Sequence, residues 1–135
     1  SPKLAAVVCL GTTLGFFMTT PVIIALRAAS HICFALLGAV LIRKIPEIIE
    51  KPLPSTVFNG GLAFVHALAE VAVVSPFFLV GSIFKPEQLA DGYVMSVLVL
   101  VGVGTFLHSL IDYTVSIMLW KPVRAALPSL AELRE

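Results

Sequence analysis

The stretch PVIIALRAASHICFALLGAVLIRK, residues 21–44, decides the fold. Between Pro21 and Ile42 Arg27 and His31, with the small Ser30 beside them, interrupt an apolar run, which is long enough for a helix to cross a hydrocarbon core that about 20 residues span. Thr20 reads as the N-cap with Pro21 at the first helical position, and Arg43-Lys44 ends the run.

Outward from this segment the same pattern repeats. An apolar run from Leu4 to about Met18 precedes it, another goes from Ser55 to about Val80, and the longest goes from Tyr93 to Trp120. Pro46 to Pro54 reads as a polar, proline-bounded loop and Phe84 to Asp91 as a connector. The expected helices are therefore about 4–18, 21–43, 55–81 and 93–120, in a single transmembrane helical domain covering 1–135. No period-two alternation supports a membrane barrel. The chain is 59% hydrophobic and 13% charged, against about 45–50% and 25% in soluble domains. The fold class is an all-α integral membrane protein with about four transmembrane helices.

A net charge of +1 gives no field for nucleic acid. Cys9 and Cys33 sit in separate apolar runs and form no Cys-x-x-Cys pair, so they read as small packed hydrophobes. No His-Glu-x-x-His signature for metal-dependent hydrolysis is present. If each helix crosses once, Lys3, Arg43, Lys44, Lys51, Lys121, Arg124 and Arg134 share one side and Lys85 the other. The positive-inside rule then places both termini in the cytoplasm of a multi-pass cell-membrane protein. The opening Ser1-Pro2-Lys3, entering an apolar run at once, reads as a start partway through a longer protein. Small residues at Gly11 and Gly15, Ala35 and Ala39, Gly60-Gly61, and Gly102 and Gly104 are expected at close helix contacts.

The chemistry lies in polar groups set into these runs: Arg27 and His31, His66 and Glu70, His108 and Asp112. Each pair is four apart, which stacks both side chains on one helix face. A charge facing lipid near the bilayer centre costs at least about 2.5–3.5 kcal/mol on insertion scales, so the three stripes are expected to face a shared interior. Asn59, Thr105, Ser109 and Ser116 extend that interior, with Phe34, Phe64, Phe77, Phe106 and Tyr113 as aromatic walls. Arg27 with the histidines suits a small carboxylate, whereas Glu70 and Asp112 suit a cation. Two other readings stay open: a structural network in which Arg27 pairs with Glu70 or Asp112, and a haem or metal protein using His31, His66 and His108.

The segments Leu10-Gly-Thr-Thr-Leu-Gly-Phe-Phe, Pro21-Val-Ile-Ile-Ala-Leu-Arg-Ala-Ala-Ser-His31 and Phe34-Ala-Leu-Leu-Gly-Ala carry a family resemblance. Val65-His-Ala-Leu-Ala-Glu-Val-Ala-Val-Val and Gly102-Val-Gly-Thr-Phe-Leu-His-Ser-Leu-Ile-Asp112 extend it. Together they resemble the substrate-binding S components of energy-coupling-factor (ECF) vitamin transporters, most closely the niacin group. The resemblance implies the C-terminal part of a six-helix bundle that binds a vitamin and docks on a transmembrane coupling protein driven by two ATPase subunits. It implies no catalysis by this subunit and no cofactor. Arg27 and His31 are then the expected anion contacts, framed by Asn59, His66, Glu70, His108 and Asp112.

Overall fold

The computed structural model describes residues 1–81 and 84–126. Arg134 and the side chains of Lys121 and Arg124, which the charge reading used, lie outside that description. Every regular element among the described residues is helical. Helix α1 (Pro2–Thr19) leads to α2 (Val22–Lys44), a 3-10 turn (Pro46–Ile49) follows, and α3 (Pro52–Val80) is the longest α-helix. Short α4 (Pro86–Ala90) precedes a π-helical stretch (Val94–Val103) that runs without a break into α5 (Gly104–Ala126). Among the described residues four segments, Pro2–Thr19, Val22–Lys44, Pro52–Val80 and Val94–Trp120, are long and apolar enough to cross a membrane.

Local chemistry sets the ends of these helices. Thr20 does not cap α2, because its hydroxyl turns back to donate to the Phe16 carbonyl at 2.7 Å, as Thr19 does to Gly15 at 2.8 Å. Both hydroxyls thereby add a second bond to carbonyls of the last turn of α1, where the Thr20 backbone N–H also donates to Phe16, and Pro21 is left as the residue before α2. The expected loop up to Pro54 is shorter than its prolines suggest: α3 begins at Pro52. Prolines are tolerated in the first turn, where the missing N–H has no intrahelical partner to lose. Gly81 closes α3 at φ 68°, a left-handed conformation that glycine adopts without a Cβ clash.

The helices pack as antiparallel neighbours, α1 on α2, α2 on α3, and α3 on α5 with its π-helical lead. The core is narrow, consisting of Ala25, Ala28, Phe58, Ala63, Ala67, Val74 and Val97. Two glycines permit close approach. A Cβ at Gly38 would stand 3.0 Å from the Leu62 Cδ1 atom, and one at Gly102 would stand 3.1 Å from Val71 Cγ2. The expectation of close contact holds at Gly102 and fails at Gly11, Gly15, Gly60, Gly61 and Gly104, where a Cβ would meet nothing within 4 Å.

Replacing Gly38 by valine drives two methyl groups into Leu62 and Phe58. Gly38→Val is expected to destabilise the detergent-solubilised protein by about 1–3 kcal/mol, the range of core overpacking. Gly11→Val should shift it by less than about 0.5 kcal/mol. Circular-dichroism melts of both variants check the contrast.

Candidate functional site

Glu70, 4% exposed near the middle of α3, gathers the polar chemistry of three helices. Its Oε2 accepts from Arg27 Nε at 2.9 Å and Nη2 at 2.6 Å, both reaching from α2, and from the Thr105 hydroxyl of α5 at 2.7 Å. Its Oε1 lies 3.4 Å from His31 Nε2 and 3.4 Å from His66 Nε2. Burying a lone carboxylate is costly, and these charge-assisted bonds offset that cost. The four-residue spacing of Arg27 and His31 stacks both on the α2 face that meets α3, as the sequence predicts.

Aromatic packing shapes the same cluster. The His31 and His66 rings meet edge to face with centroids 4.5 Å apart, and Phe34 lies against His66 at 4.3 Å. Of the aromatic walls expected from sequence, Phe34 takes that role, whereas Phe64 is 57% exposed. The cluster also grades outward. Arg27 and His31 side chains are 38% and 33% exposed, while those of His66 and Glu70 are 5% exposed.

The face of α5 that meets α3 carries Thr105, Ser109 and Tyr113, again at four-residue spacing. Thr105 bonds Glu70, Ser109 Oγ lies 2.5 Å from His66 Nδ1, and the Tyr113 hydroxyl lies 2.8 Å from that of Ser55. Asn59 donates to the Leu110 carbonyl at 3.2 Å, so its amide serves the α3–α5 contact, apart from the Glu70 cluster. Near the start of the π-helical stretch the Ser75 and Tyr93 hydroxyls are 2.8 Å apart. The two helices are thus joined by a ladder of polar contacts.

His108 and Asp112 do not join the cluster, which corrects the expectation of three converging stripes. They sit one position round from the Thr105–Ser109–Tyr113 face, with side chains 65% and 60% exposed, and pair with each other at 2.9 Å. Residues three and four apart share a helix face but adjacent residues diverge by about 100°, so the whole stripe turns away. Ser116 is likewise exposed.

Among the described residues, His31, His66 and Glu70 are the histidine and carboxylate groups whose ligand atoms lie close enough to share a metal ion, all within 4.8 Å. A separate cleft of about 270 Å³ opens at the loop end of α3 and α5, lined by Glu50, Lys51, Ser55, Asn59, Tyr113 and Thr114. Its inner polar groups already have partners, Ser55 with Tyr113 and the Asn59 amide with the Leu110 backbone carbonyl. The Glu70 cluster, with charged groups at its outer edge, is the better candidate.

Against known proteins, the chain is 34% identical over 129 residues to the niacin transporter NiaX of Lactococcus lactis subsp. cremoris (strain MG1363). The similarity covers 95% of this chain, which spans 56% of the length of that relative. No family profile matches the chain, and no solved structure does. The resemblance carried by the sequence motifs is thus matched by similarity along nearly the whole chain.

Removing one donor from the buried carboxylate tests whether the cluster holds the helices together. Thr105→Val is expected to destabilise the protein by about 1.5–3 kcal/mol, the range for hydrogen bonds to charged groups. His108→Ala, at an outward pair, should cost less than about 1 kcal/mol. Thermal unfolding in one detergent, with both variants side by side, checks the order.

Proposed function

We propose that this multi-pass membrane chain, homologous to the niacin transporter NiaX over nearly its whole length, is the substrate-binding S component of an ECF-type vitamin-uptake transporter. Niacin is its substrate in this reading. The observation that carries it is the graded cluster on α2 and α3. Arg27 and His31 stand partly open beside Phe34, while Glu70 and His66 behind them are buried. A guanidinium and an imidazole at the edge of an aromatic wall suit a flat aromatic carboxylate: the cation and donor take the carboxylate, and Phe34 takes a ring face or edge.

In this proposal Arg27 and His31 contact the vitamin, and His66 and Glu70 hold those contacts in place. Asn59 acts through the α3–α5 contact it makes with Leu110. His108 and Asp112, paired on the outward face of α5, stand outside this part of the site. The subunit hydrolyses nothing itself. Energy comes from two partner ATPases acting through a transmembrane coupling protein, and both termini face the cytoplasm, as the basic residues favour.

The structural-network reading has the Arg27–Glu70 pair in its favour. Yet a buried ion pair is a weak source of stability, and the partial exposure of Arg27 and His31 is what a ligand requires. The haem reading has less support, because ring centroids 4.5 Å apart leave no room for a porphyrin between His31 and His66. His108 is turned away from both.

Calorimetric titration of the purified protein in detergent tests the proposal. Nicotinate is expected to bind at least about tenfold more tightly than nicotinamide, because only the acid makes a charge-assisted contact. His31→Ala, with helix content unchanged, is expected to weaken nicotinate by about tenfold or more. Equal affinity for acid and amide, or full affinity in His31→Ala, would sink the assignment of Arg27 and His31 as anion contacts.

A further inference from the structure

Among the described residues, His66 carries the buried side-chain nitrogen that lacks a hydrogen bond. The residue is 4% exposed, and its Nε2 is buried without a hydrogen-bond partner. Its other ring nitrogen is held by Ser109 Oγ at 2.5 Å. With Nδ1–H donating to that hydroxyl, Nε2 presents a lone pair toward Glu70 Oε1, 3.4 Å away. His31 Nε2 approaches the same oxygen at the same 3.4 Å from α2. In that tautomer the His66 lone pair and Glu70 Oε1, itself an acceptor, face each other with no proton between them, an arrangement that a cation relieves.

We propose that His31, His66 and Glu70 form a three-ligand site for a divalent transition-metal ion, represented by Zn²⁺. The three ligand atoms lie within 4.8 Å of one another. A tetrahedral ion with bonds of about 2.0–2.1 Å sets its ligands about 3.3–3.4 Å apart, the length of both edges that meet at Glu70 Oε1. The third edge, between the two imidazole ligand atoms, is no longer than 4.8 Å, and closing it falls to His31, the partly exposed member.

The surroundings are those of an oriented metal ligand set. Ser109 fixes the His66 ring through the nitrogen that does not bind the ion. Arg27 and Thr105 occupy Glu70 Oε2, which leaves Oε1 as the free donor. Two imidazoles and one carboxylate select borderline-soft ions such as Zn²⁺, Ni²⁺ or Co²⁺ over Mg²⁺ and Ca²⁺, which demand oxygen. Three protein ligands leave the fourth position of a tetrahedral ion to water or to a ligand donor. The cation site shares His31, His66 and Glu70 with the proposed vitamin site, but its occupancy is measured without the vitamin.

The test uses the full chain in detergent, with any affinity tag removed and metal stripped. Calorimetry with ZnCl₂ is expected to show one ion per chain, and CoCl₂ should give the visible d–d band of a four- or five-coordinate site. Ser109→Ala is expected to weaken Zn²⁺ about 10–100-fold, and His31→Gln and His66→Gln by more than that. His108→Gln should leave the affinity within about threefold, since the outward His108–Asp112 pair is a separate weak donor set. Helix content and monodispersity are checked for each variant. Where His66→Gln does not fold, His31→Gln and the cobalt spectrum decide. No Zn²⁺ binding by the wild type, or a loss in His108→Gln equal to that in His31→Gln, would overturn the site. Nicotinate titration of the stripped protein reports on the vitamin reading separately, so the two can fail apart.

Discussion

A carboxylate buried among apolar helices keeps its charge only if donors reach both oxygens, and Glu70 on α3 draws its donors from two further helices at once. Arg27 and His31 come from α2 and Thr105 from α5, while His66 stands beside them one turn away on α3. No pair of these helices can slide without breaking a bond to the same carboxylate. In lipid, where apolar side chains gain little by exchanging lipid for protein, such contacts and close packing supply the specificity that a water-driven core supplies elsewhere. The core here is small and largely alanine, so register falls to the polar groups.

The same carboxylate divides the cluster into two layers. Inside, Glu70 and His66 are fixed by Thr105 and Ser109 on the α5 face. Outside, Arg27 and His31 are held from one side and open on the other. A site built this way is preorganised, because the outer groups are oriented by buried partners before any ligand arrives. It is also electrically balanced before binding, since Arg27 and Glu70 cancel. An incoming carboxylate therefore gains most if it takes the open side of Arg27 without displacing Glu70, and the buried Thr105 bond helps keep Glu70 where it is.

The membrane character and the four spans were legible in the sequence because length and hydropathy alone decide whether a helix crosses a bilayer. The Arg27, His31, His66 and Glu70 grouping was legible for a related reason: four-residue spacing fixes a helix face, and apolar residues on the other faces leave one direction to turn. Spacing does not say which face that is when a helix carries two polar stripes. On α5, Thr105, Ser109 and Tyr113 form one stripe and His108 and Asp112 the next, and formal charge drew attention to the wrong one. The neutral hydroxyl stripe faces inward because it meets Ser55, His66 and Glu70 partner for partner, a match visible only when α3 and α5 are set side by side. Gly38 was passed over for the same reason, since its value lies in Leu62 and Phe58 of another helix.

The π-helical stretch Val94–Val103 bears on how that match is reached. It places wider turns directly ahead of Thr105, so the α5 face that reaches Glu70 is set in part by backbone geometry that α-helical periodicity does not describe. Its ends are anchored on α3 at both sides, by the Tyr93–Ser75 contact before it and the Thr105–Glu70 contact after it. Gly102, packed against Val71, lets the backbone lie close to α3 between those anchors. A regular α-helix over the same residues would have a different rotation between Tyr93 and Thr105. The irregular segment thus lies between two polar contacts to α3, of which the buried carboxylate is the more demanding.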